Sequence, residues 1–161
     1  MTTKADYTDE EWRALRRAPL VAGLAISLAD PGGPIEVTKE TLASLKAART
    51  PPSDDELLVA VSQDLDAQIR THEKPMEELE IRGRTARKQA VEELATVNGI
   101  LAAKATPEEA ASFRLWLVQA AEATAEAAKE GGLFGVGATR VSKGETAMLD
   151  RIREVLGVGK D

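Results

Sequence analysis

Apolar residues recur along this chain at intervals of three and four, the period of an amphipathic helix, and nowhere alternate with polar ones long enough to predict a strand. Trp12, Leu15, Ala22 and Ile26 share one stripe and predict a helix from about Thr8 to Ala29, kinked or split at Pro19. A second helix is expected from Thr38 to about Arg49, stopped by Pro51-Pro52. Leu58, Val61, Leu65 and Ile69 predict a third over Ser53 to about Thr71. The fourth would start near Pro75 and reach Lys104, with Met76, Leu79, Gly83, Ala86, Ala90, Leu94, Val97 and Leu101 on its stripe; a break at Gly83 is the alternative. A fifth is expected over Thr106 to about Glu130 and a sixth over Ser142 to about Leu156.

Helix-start signals support this reading. Thr8-Asp9-Glu10-Glu11, Ser53-Asp54-Asp55-Glu56, Thr106-Pro107-Glu108-Glu109 and Ser142-Lys143-Gly144-Glu145 all match the capping box, in which a hydroxyl accepts from the third amide and a glutamate accepts from the first. Tyr7 is spaced to staple onto Trp12, and Thr38 offers a fifth, weaker cap. The expectation is an all-α fold, a single helical bundle of about six helices over residues 1–161.

Two stretches echo one another. Thr8 to Glu40 and Thr106 to Glu145 each read as a capped helix, a diglycine loop with an apolar plug, and a second capped helix. An internal pseudo-repeat is expected, with half-repeats over 8–71 and 75–157; shared helix punctuation is the alternative. In the first unit Ala29-Asp30, a glycine, Ile35 and Glu40 resemble the Ala-Asp-Gly-x-Ile-x-x-x-Glu signature of tellurite-resistance TerB-like domains, with Ile35 to Glu40 one residue longer than the family spacing. That resemblance implies a bacterial all-helical module of two pseudo-repeats, acidic residues that bind metal, and a stress-related role.

Composition narrows the chemistry. The 161 residues carry 27 acidic and 21 basic side chains, a formal charge of -6, which makes nucleic acid an unlikely partner. With no cysteine and a single histidine, His72, disulfides, thiolate sites and histidine-rich metal centres are excluded. Aromatics make up only 3% of the residues, against 27 alanines, so close helix approach over small side chains is expected. The apolar run Ala18–Leu28 spans roughly 16 Å as a helix, about half a bilayer's hydrocarbon core, and no leader-like segment precedes it; a cytoplasmic protein with no membrane span is expected.

Three candidate sites remain. The loop Gly131 to Arg140 holds Leu133, Phe134 and Val136, which either plug the core or form a partner-binding surface. Arg140, Ser142 and Lys143 at its end offer an anion site at a helix N-terminus. Asp30, Glu36 and Glu40 offer oxygen ligands to a metal ion, although nothing there matches an EF-hand, and a solvated acidic loop is the plainer reading. Arg82, Arg84, Arg87 and Lys88 read as a solvated face paired with neighbouring glutamates, and His72 as a surface turn residue. No catalytic constellation and no cofactor are expected. The leading expectation is a non-enzymatic interaction or regulatory module with a protein partner or as a homodimer, since Met76, Leu79 and Ile81 on an overhanging fourth helix would need cover. The alternative is a small-ligand or metal-binding sensor using the acidic loop 30–40 or the glycine loop 131–140.

Overall fold

Three of the expected capping boxes form and fix the starts of three helices. Thr8 Oγ1 accepts from the Glu11 amide at 3.2 Å while the Glu11 carboxylate accepts from the Thr8 amide at 2.7 Å. Thr106 and Glu109 exchange the same pair of bonds, as do Ser142 and Glu145. The structure, a computed structural model, describes residues 1–29, 34–130 and 141–159, with the side chains of 34–38, 129 and 130 outside that description. Among the described residues the chain is all-helical, with six helices and no strand: α1 (Asp9–Ala29), α2 (Pro34–Ala48), α3 (Glu56–Arg70), α4 (Ala86–Lys104), α5 (Pro107–Glu130) and α6 (Lys143–Leu156). Short 3-10 turns cover Lys4–Asp6 and Gly83–Thr85.

Four boundaries differ from the sequence expectation, each for a local reason. α1 runs through Pro19 as one element, with the proline buried among its neighbours. α2 begins at Pro34 rather than at Thr38, because a proline at the first helical position is pre-set for the helix and has no amide to leave unsatisfied. α3 starts after Asp55, which stands at the N-cap position without a side-chain cap bond; Ser53 donates its hydroxyl to Asp55 Oδ2 at 2.7 Å, and hydrogen bonds from Ser112 and Ser53 hold the Asp55 carboxyl below its ordinary pKa.

The fourth boundary is the largest difference. α4 starts at Ala86, and residues 71–82 form turns and irregular backbone. His72 and Gly83 both adopt positive φ, +60° and +72°, and Pro75 disfavours helix at the residue before it. Met76, Leu79 and Ile81 therefore do not overhang on a long rod. They fold back and pack against the chain's own core, so a second copy is not needed to cover them.

α1 is the shared element of the bundle: it packs against α2, α3, α4, α5 and α6, while α2 and α5 lie against each other and α6 closes on α4 and α5. Leu15, Val21 and Ile26 of α1 meet Leu57, Leu58 and Val61 of α3, Leu94, Val97 and Leu101 of α4, Phe113, Trp116 and Leu117 of α5, and Ile152 and Leu156 of α6 in one buried cluster. Alanines fill the close crossings: Ala18, Ala22 and Ala25 on α1 and Ala120 and Ala121 on α5 are fully buried. Tyr7 packs on Trp12 with ring centroids 5.8 Å apart, the expected staple at the entry to α1. Trp116 donates its indole N–H to the Ala47 carbonyl at 2.9 Å, tying α5 to the last turn of α2.

Candidate functional site

A close helix contact lies where α1, α2 and α5 meet. Gly23 has no side chain to separate α1 from α2, and a Cβ built there would overlap Ser44 Oγ and lie 2.9 Å from Thr124 Oγ1. Thr124 is completely buried and donates its hydroxyl to the Ala120 carbonyl at 2.9 Å, so its polarity is satisfied within α5. One turn before Ser44, Glu40 points towards α1 with only 2% of its surface exposed. Ser27, one turn beyond Gly23, donates its hydroxyl to Glu40 Oε2. A carboxylate is rarely buried unless its oxygens are hydrogen-bonded, and the close approach at Gly23 brings Ser27 within reach.

This polar seam opens onto a cleft of about 580 Å³. One face of α1 supplies Leu20, Gly23, Leu24 and Ser27, and the facing side of α2 supplies Glu40, Thr41, Ser44 and Leu45. Ile69 at the end of α3 and the turn His72 to Met76 complete the walls. The volume is in the range of about 300–1,000 Å³ typical of small-molecule sites, and the lining sets the apolar Leu20, Leu24, Leu45, Ile69 and Met76 beside polar groups from Ser27, Glu40, Thr41, Ser44 and the turn His72 to Lys74. The turn is shaped by the break that separates α3 from α4: His72 donates its amide to Ile69 O at 3.1 Å and takes the left-handed conformation that redirects the chain across the cleft's mouth.

A second depression lies beside the first, sharing His72, Glu73, Lys74 and Pro75, but its arginines are already committed. Arg13 pairs with Glu78 at 3.2 Å, Arg16 with Asp64 at 3.2 Å and Arg17 with Glu93 at 2.7 Å. Burial pushes the Asp64 carboxyl up, but the indole N–H of Trp12 at 2.7 Å, Lys4 and Arg16 more than reverse this and hold it below the ordinary value. That depression is an ion-pair network rather than a binding site.

The sequence-derived candidates are distributed unevenly. Leu133, Phe134, Val136 and Arg140 lie outside the described residues, as does Asp30. Residues 34–40 are not loop: α2 carries Glu36 and Glu40 on successive turns, and Glu40 is buried against Ser27 rather than solvated. Among the described residues no group of three or more His, Asp or Glu side chains is placed to hold a metal ion. Ser142 caps α6, and its box with Glu145 engages the Ser142 and Glu145 amides, with the hydroxyl oxygen as acceptor. Lys143 is exposed beside it. Arg82, Arg84, Arg87 and Lys88 are exposed, with Lys88 paired to Glu92 at 3.6 Å; Glu78 pairs across to Arg13 because its segment is not helical. Sequence reasoning missed the cleft itself, since its far wall depends on the 71–82 turn; the visible signal was Gly23 and Ser27 at a four-residue spacing on α1 facing Glu40 and Ser44 at the same spacing on α2.

No family model, no curated protein and no solved structure matches the chain significantly. No helix among the described residues is long and apolar enough to cross a membrane.

Proposed function

We propose that this protein is a non-catalytic, ligand-binding sensor module whose site is the cleft between α1, α2 and residues 72–76. The observation that carries this reading is the cleft of about 580 Å³, walled by Leu20, Leu24, Leu45, Ile69 and Met76, with the buried Glu40 among its lining. A binding role fits the polar groups better than a catalytic one. Ser27 donates to a carboxylate and not to an imidazole, the base that activates serine in many nucleophilic enzymes. α2 gives the site a route outward, because it forms one wall and also packs along α5, where Trp116 grips the Ala47 carbonyl.

The test uses 1-octanol, octylamine and octanoate as probes of an aliphatic site, read by amide chemical shifts. At least one of the three is expected to shift resonances of Leu20, Leu24, Leu45 and Met76 saturably. Leu24→Trp, which fills the cleft from its half-buried edge, is expected to abolish the effect. No saturable shift with any of the three overturns the reading.

The interaction-module reading retains one observation of its own. Leu42 is 62% exposed beside an open groove of about 790 Å³ between α2 and α3, lined also by Leu45, Arg49, Asp66 and Arg70. A stress-related role rests on the resemblance of residues 29–40 to TerB-like domains alone.

A further inference from the structure

We propose that the groove between α2 and α3 is a docking site for an acidic amphipathic helix of a partner protein, a surface that does not depend on the ligand cleft. Among the described residues the two helices follow one another in the chain without packing along each other, and the space between them is an open groove of about 790 Å³. α2 lines it with Leu42, Leu45, Lys46 and Arg49, and α3 with Gln63, Asp66, Ala67 and Arg70. Both sets follow the i, i+3, i+4, i+7 spacing that gathers side chains on one helix face, so each wall is a ridge about two turns, or roughly 10 Å, long. Two such ridges flanking a slot are the seat of a helix laid in a groove. Leu42, 62% exposed on the α2 ridge, is the anchor that an apolar side chain of that helix would cover.

Charge selects the partner. The groove sets three cations, Lys46, Arg49 and Arg70, around one carboxylate, in a chain whose formal charge is -6. Asp66 is shared: Arg49 Nη2 lies 2.5 Å from one of its oxygens and Arg70 Nε 2.6 Å from the other. One carboxylate thus answers two guanidiniums, each of which keeps further N–H donors for an incoming carboxylate. Glu126 lies beyond Lys46 in a neighbouring depression, outside the groove's lining. A second copy docking about a two-fold axis would set these cations against themselves. A nucleic acid would find no aromatic platform for its bases among the lining residues. An acidic helix with an apolar stripe satisfies both the leucines and the cations.

The deciding experiment titrates the full chain with a synthetic alanine-based helix carrying leucine at i, i+4 and i+7 and glutamate on either side, beside its lysine analogue and an oligoglutamate without leucine. The glutamate helix is expected to bind saturably, to shift amide resonances of Leu42, Leu45, Ala67 and Arg70, and to weaken as salt is raised; the lysine helix is expected not to bind. Leu42→Asp should weaken the glutamate helix at least about tenfold, and Lys46→Glu at least about twofold. Leu24→Trp, which fills the cleft and leaves the groove open, should change nothing. No saturable binding of the glutamate helix, equal binding of the lysine helix or of oligoglutamate, or affinity undiminished in a folded Leu42→Asp protein each overturn the proposal. Loss of binding in a folded Leu24→Trp protein would place the peptide in the cleft and overturns it too. So does tighter binding of phosphatidylserine vesicles or single-stranded DNA at the same resonances, or a concentration-dependent dimer that shifts them. If Leu42→Asp fails to fold, the comparison of the three peptides on the unaltered chain decides alone.

Discussion

A methyl group at Gly23 has no room: it would overlap the Ser44 hydroxyl, 2.8 Å from Ser44 Cβ and 2.9 Å from Thr124 Oγ1. Intrinsic propensity favours alanine over glycine within a helix by about 1 kcal/mol, yet here the sterics of three packed helices decide. Gly23→Ala is expected to lower stability by about 1–3 kcal/mol, because α1 and α2 must move apart to admit it. Gly99 is the control. It lies exposed within α4 with nothing within 4 Å of its virtual Cβ, so Gly99→Ala is expected to raise stability by about 0.4–1 kcal/mol. Urea unfolding midpoints of the two variants should move in opposite directions. Equal shifts would mean that α1 and α2 are not in the contact described.

At the scale of elements, α1 and α4 are joined through Arg17, whose guanidinium places Nε and a terminal nitrogen each 2.7 Å from Glu93 Oε1, with both side chains largely shielded from water. Arg17→Met leaves the Glu93 carboxylate without its partner and is expected to cost towards the lower end of about 3–5 kcal/mol; Arg17→Met with Glu93→Leu should recover most of it. Thermal melts of the single and double variants measure the difference. Much of the element map was legible beforehand. The boxes at Thr8, Thr106 and Ser142 are purely local devices, satisfied by residues three apart, so the chain alone specifies them. Ser53 and Thr38 were misleading because Asp55 and Pro34 offer competing starts nearby. The beginning of α4 was obscured because the stripe from Met76 to Leu101 keeps helical spacing through a segment that folds as a turn, where Pro75 and the left-handed Gly83 override the pattern. Glu40 read as solvated for the same kind of reason: its burial follows from a contact with Ser27, thirteen residues away, and from the space left at Gly23.

For the whole molecule, acid is the sensitive direction. Burial raises the Glu109 carboxyl's pKa, but hydrogen bonds from the amides of Thr106 and Thr2 and the Thr2 hydroxyl outweigh it and hold the group below its ordinary value. Asp64 is lowered in the same net sense, and Glu11 is lowered by its bond from Lys104. Each carboxyl binds its proton more weakly folded than unfolded. Their stabilisation is therefore complete above the ordinary carboxylate range and is lost as pH falls through about 4 and below. Urea midpoints should be flat from pH 8 to 6 and fall steeply below pH 4. Glu109→Gln should make that fall shallower. A midpoint that rises on acidification would contradict the whole set of contacts. The charged ends of Lys4 and Arg16 thus bind the start of the chain to α3 through Asp64, and Lys104 binds α4 to α1 through Glu11, only while these carboxylates remain ionised.

The central place of α1 also bears on how the molecule is made. Its apolar stripe leaves the ribosome ahead of every helix that will cover it, and α5, against which it packs extensively, begins only at Pro107. At synthesis rates of about 5–20 residues per second, the part of α1 that α5 covers waits several seconds for it. A nascent chain halted before α5 would leave the part of that stripe facing α5 open to any passing chaperone.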